Sequence, residues 1–124
     1  MGVGTAVALG STRGWIFYYL PLVGLAPATV VISGSAGVTR EATKAARICK
    51  LVGPMTATGT VQILNGAVDM TGAMTVLAGQ PALIYSTLPD DIPFDGIPIT
   101  AGSDASLVIV TGTLNGYAVI AVEN

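Results

Sequence analysis

Glycine and proline, 16 and 7 of the 124 residues, punctuate this chain, and the runs between them are rich in β-branched side chains. Valine, threonine and isoleucine number 14, 14 and 10 of the 124 residues. Such side chains are stiff at χ1 and fit the pleated, half-buried surface of a sheet better than a helix. Short apolar runs with turn residues between them are the pattern of an antiparallel sandwich or barrel. We expect strands near 3–9, 15–20, 28–33, 46–52, 56–64, 68–77, 81–87, 105–112 and 116–122. Thr39–Arg47 departs from the pattern, holding good helix formers with Glu41 three residues before Lys44. It reads either as a helix of two turns at most or as a polar connection. The expected fold class is all-β: an antiparallel β-sandwich of about eight to nine strands, with at most one short helix near 39–47. One domain, 1–124, is the natural count, with 1–35 as an extended or partner-contacting segment.

Two Asn-Gly dipeptides stand between apolar runs, a strong short-range hairpin signal. Asn65-Gly66 would join Thr60–Leu64 to Ala67–Met70, and Asn115-Gly116 would join Leu107–Val110 to Tyr117–Val122. The phrase Thr-Gly-Thr precedes both turns, at 58–60 and 111–113, but the similarity extends no further and marks no internal repeat. The last strand is almost wholly apolar, so both its faces should be covered, in mid-sheet or against a neighbour. Residues 87–104 break the strand rhythm with three prolines and four aspartates, and read as an ordered, semi-extended excursion.

Charge is scarce and segregated. Only 10% of the residues are Asp, Glu, Lys or Arg, against about 25% in ordinary globular chains. Residues 1–50 hold all five cations and one anion (+4), whereas 51–124 hold six anions and no cation (−6), which together make the net −2. Such asymmetry suits contacts between copies or with a charged partner. An acidic balance with one short basic cluster disfavours nucleic acid. Trp15–Ile32 runs eighteen residues without charge, but Pro21, Pro27 and the β-branched Thr29–Ile32 argue for strands over a membrane span. Arg13 with the following apolar run makes a poor leader peptide, so we expect neither a membrane segment nor a cleaved signal.

Catalytic equipment is thin. With no histidine there is no Ser-His-Asp or Cys-His chemistry and no imidazole metal ligand. Cys49, the single cysteine, reads as an ordinary buried thiol. Gly2–Ala6 lacks the preceding strand and third glycine of a dinucleotide loop, and no phosphate-loop motif occurs. Asp90, Asp91 and Asp95 do not have EF-hand spacing. They read as solvated loop charge, with a subunit contact or metal role as the alternative. We therefore expect no enzyme and no cofactor.

Two clusters remain as candidate contacts. Trp15, Phe17, Tyr18 and Tyr19 gather four of the seven aromatics in five residues. On a strand Trp15, Phe17 and Tyr19 share one face while Ile16 and Tyr18 take the other. One face is explained by a core; the other suits a core or a partner equally. Arg40, Lys44, Arg47 and Lys50 form either a solvated basic face or a contact for an acidic partner.

From about Gly53 onward the phrases Ala57–Val61, Asn65-Gly66, Met70–Met74, Leu77–Pro81, Thr100–Leu107 and Asn115–Val119 occur in an order that resembles small head-decoration (cement) proteins of tailed bacteriophages. The resemblance implies a sandwich of jelly-roll type that trimerises on the exterior of an icosahedral capsid and bridges major-capsid subunits. Partners would then be further copies of the chain and the major capsid protein, with no nucleic acid and no membrane. The protein would be made in the host cytoplasm and end in the virion. Tail or fibre components, and carbohydrate- or receptor-binding sandwich modules, are the competing readings.

Overall fold

The computed structural model describes residues 2–12, 14–79, 82–85 and 97–124. Among them are thirteen strands and no helix. In chain order they are β1 (Gly2–Val3), β2 (Val7–Thr12), β3 (Trp15–Leu25), β4 (Ala28–Gly34), β5 (Val38–Thr39), β6 (Ala46–Val52), β7 (Gly59–Asn65), β8 (Val68–Asp69), β9 (Met74–Val76), β10 (Ala82–Tyr85), β11 (Ile97–Ile99), β12 (Ala105–Ile109) and β13 (Leu114–Glu123). The excess over eight or nine comes from short pieces such as β1, β5 and β8, and from strands divided in two.

Two sheets pack face to face. In the first, the order is β1-β3-β13-β6-β10, with β2 also on β3 and β11 also on β6. In the second it is β5-β4-β12-β7-β8, with β9 also on β7. All pairings are antiparallel except β4 with β5. The partners nest: β3 lies on β13, β4 on β12, β6 on β10 and β11, and β7 on β8 and β9. The chain is thus one long antiparallel ribbon, from β3 to β13, doubled over and wrapped so that successive stretches fall in alternate sheets. That is the jelly-roll arrangement.

Nesting decides the fate of the two Asn-Gly pairs. At the ribbon's tip β7 turns into β8, and Asn65 pairs with Val68 so that Gly66-Ala67 form the two-residue turn. Gly66 takes φ of 62°, which a primed hairpin turn requires at its first central position. The Asn65 side chain bonds elsewhere, its carboxamide donating to Thr100 Oγ1 at 3.0 Å and accepting the Thr100 N–H at 3.1 Å. Asn115-Gly116 makes no hairpin at all. β12 and β13 lie in different sheets, and the chain crosses between them at 110–113. Asn115 instead sits opposite a bulge in β3, where Val23 and Gly24 face this one residue of β13 between the Leu114–Leu25 and Gly116–Leu22 pairs.

The two Thr-Gly-Thr phrases meet at the crossing. A Cβ on Gly59 would run into the Thr111 carbonyl, and Gly112 lies against the Ala57 backbone. Thr56 N–H donates to the Thr113 carbonyl at 2.9 Å, and Thr113 N–H donates to Thr56 Oγ1 at 2.9 Å. Residues 40–45 are the polar connection, not a helix. Val38 is buried and its strand pairs with Ser33 and Gly34, which draws the backbone out of helical geometry. β3 runs on to Leu25, past the expected end at 20. Pro21 is tolerated because its missing donor faces the break between β1 and β2, where its carbonyl accepts the Gly4 N–H at 2.8 Å.

The core lies between the sheets. Leu20, Leu22, Ile48, Leu51 and Ile120 from the first meet Ile32, Val61, Ile63 and Leu107 from the second, all fully buried. β13, flanked by β3 and β6, is the mid-sheet strand that its composition demanded.

Candidate interaction surface

The first sheet buries side chains on its outer side as well. Alternation along β3 sends Leu20 and Leu22 inward with Tyr18 beside them, and sends Trp15, Phe17 and Tyr19 outward. Phe17 forms a second buried cluster with Cys49, Val119 and Ala121, and Trp15 and Tyr117 pack half-buried around it. Register explains the grouping. One row across the sheet reads Phe17–Ala121–Arg47, and the next reads Val7–Tyr19–Val119–Lys50. Directly opposed residues on paired strands share a face.

Arg47 and Lys50 are three apart, a spacing that puts them on opposite faces of a regular strand. The register between β6 and β13 shifts where Val119 faces Lys50 and Ile120 faces Ile48. Cys49 is the extra residue of this bulge, and it lets Arg47, Cys49 and Lys50 all join the outer face. The Arg47 guanidinium carbon then lies 5.9 Å from the Trp15 ring centroid, and Lys50 Nζ lies 5.8 Å from that of Tyr117. Tyr117 stacks on Tyr19 with centroids 4.9 Å apart. Two cations thus sit over aromatic rings on a sheet face.

Arg40 and Lys44 are engaged away from those rings. Arg40 donates to Ser33 Oγ at 3.3 Å and to the carbonyls of Lys44 and Ser103. Burial holds its guanidinium below the usual arginine range, partly offset by the Asp104 charge. Asp104 accepts the Ser35 N–H at 3.0 Å and the Ser35 hydroxyl at 2.9 Å. Lys44 Nζ donates to the Asn124 carbonyl at 3.1 Å. A polar cleft of about 210 Å³ opens here, lined by Ser35, Arg40, Glu41, Ser103 and Asp104 among others. The hydrogen bonds of Arg40 and Asp104 tie three chain segments together, 33–35, 40–44 and 103–104, so the cleft is a structural clasp. Among the described residues, no buried side-chain polar atom lacks a partner.

Five of the sequence candidates therefore converge on the outer face: Trp15, Phe17, Tyr19, Arg47 and Lys50. Tyr18 packs against the main core, and Arg40 and Lys44 belong to the clasp. Asp90, Asp91 and Asp95 lie outside the described residues. Tyr117 and Cys49 join the face without having been candidates; a lone aromatic in an otherwise aliphatic last strand was the signal for Tyr117. The Cys49 thiol is pushed up to about 11 by burial, partly offset by the Ala121 backbone and the Arg47 charge. It is protonated near neutrality and a poor nucleophile. Among the described residues, no group of three His, Cys, Asp or Glu is placed to hold a metal ion. No described helix is long and apolar enough to cross a membrane. Comparison with protein-family models, with curated protein sequences and with solved structures found no match.

Proposed function

We propose that this protein is a structural virion component that binds the outside of an icosahedral phage capsid and stabilises it by bridging major-capsid subunits. The observation that carries the reading is the outer face of the first sheet. Aromatic rings and arginine are the residue types enriched at protein interfaces, and here they are gathered on a sheet face. The jelly-roll strand order is the fold that the resemblance to decoration proteins implies, and the scarcity of charge suits a subunit with much of its surface covered. The role is mechanical. Each copy, taken three at a time, makes modest contacts that sum through multivalency. Because such a protein binds the assembled lattice and not free subunits, mass action raises the stability of the shell.

The test is to mix the protein with expanded, undecorated shells of the virus that encodes it. Saturable binding with a raised shell melting temperature is expected, and Trp15→Ala with Arg47→Ala should weaken binding while the fold survives. Absence of binding to those shells sinks the proposal. Saturable binding to glycans in its place would select the carbohydrate-binding reading.

A further inference from the structure

The two Asn-Gly dipeptides carry the same latent chemistry. At such a peptide the glycine nitrogen has no side chain beside it and can close on the preceding carboxamide carbon. The N–Cγ bond forms, the Cγ–NH2 bond breaks, the glycine proton passes through water to the departing nitrogen, and ammonia leaves. Water then opens the five-membered imide at either carbonyl, giving an aspartyl or an isoaspartyl residue. The folded chain ties both reactants at Asn65-Gly66. Thr100 holds the Asn65 carboxamide at both ends, its Oγ1 accepting from the nitrogen at 3.0 Å and its N–H donating to the oxygen at 3.1 Å. The attacking group is engaged as well, because the Gly66 N–H donates to the Asp104 carbonyl at 2.8 Å. The Asn65 backbone is fixed between Ala105 of β12 and Val68 of β8. Asn65 is half-buried and Thr100 is exposed, so water reaches the dipeptide and hydrogen bonds do the holding.

We propose that Asn65-Gly66 is a latent deamidation site at the tip of the ribbon, held shut by Thr100 and opened only when that segment lets go. Ring closure needs the Asn65 side chain to swing over its own peptide, which breaks both bonds to Thr100. It also needs the Gly66 nitrogen released from Asp104. Thr100 directly follows β11, a strand of the first sheet, whereas Asn65 ends β7 of the second. The lock is therefore a link between the sheets, and the copies that react are those in which the sheets part at this end. The change is one-way. A carboxylate at 65 has no N–H for Thr100 Oγ1, and an isoaspartyl linkage adds a main-chain atom where Asn65 faces Ala105 and Val68. Asn115-Gly116 is the internal reference. It too follows a leucine, but its carboxamide accepts from the Gly24 N–H and has no tie to Thr100. The inference does not rest on the capsid reading.

The test uses the full chain, incubated folded and in urea at mildly alkaline pH. No lysine or arginine follows Lys50, so trypsin leaves both dipeptides on one peptide, whereas cyanogen bromide after Met55, Met70 and Met74 separates them. Mass spectrometry of those fragments reads the exchange of NH2 for OH at each site, and urea gives the unhindered rate of each. In the folded protein position 65 should react at least about ten-fold more slowly than in urea, since its bonds to Thr100 and Asp104 must open first. Thr100→Val keeps the side-chain volume and removes the Oγ1 acceptor. It should speed the folded-state reaction at 65 by about 2–10-fold, the factor that one neutral hydrogen bond sets, and leave 115 unchanged. Equal rates at 65 in the folded and the unfolded wild-type chain overturn the proposal, a measurement that stands if the variant fails to fold. So does a folded Thr100→Val that leaves the rate at 65 unmoved. A variant that raises 65 and 115 together also overturns it, because general loosening then replaces a lock at Thr100.

Discussion

The Asn115 carboxamide oxygen accepts the Gly24 backbone N–H at 2.8 Å, joining residues 91 apart in the chain. Asn115 N–H in turn donates to the Pro54 carbonyl at 3.0 Å. One residue at a bulge thus ties the end of β3 to the segment leaving β6, and so closes the end of the sheet where the ribbon crosses over. Asn115→Ala removes the acceptor and leaves the Gly24 donor half-buried without it. Loss of about 1–3 kcal/mol of unfolding free energy is expected, with an unchanged denaturant slope. Urea titration checks both.

Gly116→Ala is expected to be worse. A Cβ there would collide with the Val52 carbonyl oxygen of the neighbouring strand, which is backbone and cannot rotate away. Overpacking of this kind costs about 1–3 kcal/mol or more. Gly72→Ala is the control, since nothing lies near a Cβ at that position. It should leave the urea midpoint nearly unmoved.

Arg40 tests whether the clasp needs geometry or only charge. Its guanidinium serves Ser33, Lys44 and Ser103 at once. A lysine keeps the charge but lacks the planar fork, so Arg40→Lys should lose nearly as much stability as Arg40→Ala, about 1–3 kcal/mol. Thermal unfolding of the two variants side by side decides it. Full recovery by lysine would show that charge alone suffices.

Cys49 gives a pH signature with a definite sign. Its thiol is raised from 9.0 to about 11 by burial, so between these values the unfolded chain loses the proton first. Its contribution to stability is therefore fully present below pH 9.0 and is lost as pH rises toward about 11. Cys49→Ala should show a shallower fall in unfolding free energy across that window. In the native protein at neutral pH the thiol should resist alkylation that proceeds readily once urea unfolds the chain.

Much of the fold was legible because strand formation here is a matter of local chemistry. β-branched runs between glycines and prolines located most main strands, and β6 falls where it was expected, at 46–52. The uncharged run of β13 announced a strand covered on both faces. Period-two alternation also divided Trp15, Phe17 and Tyr19 from Tyr18 correctly.

One misreading and one unforeseen grouping share a cause. Asn115-Gly116 has local hairpin chemistry, but a ribbon folded back on itself leaves consecutive strands in different sheets, and the dipeptide became the partner of a β3 bulge and a close approach to Val52. Arg47 and Lys50 come to one face through a single extra residue, Cys49, whose bulge exists only because β13 fixes the register on either side. The amino-acid sequence by itself determined the class of structure, the strand rhythm and the alternation of faces, since these follow from side-chain shape and polarity within a few residues. Only the tertiary structure decided which strands pair, where the register slips and which cations meet which rings. Those outcomes depend on hydrogen-bond ladders between segments as far as 108 residues apart, as where Glu123 pairs with Trp15, and no local pattern encodes them.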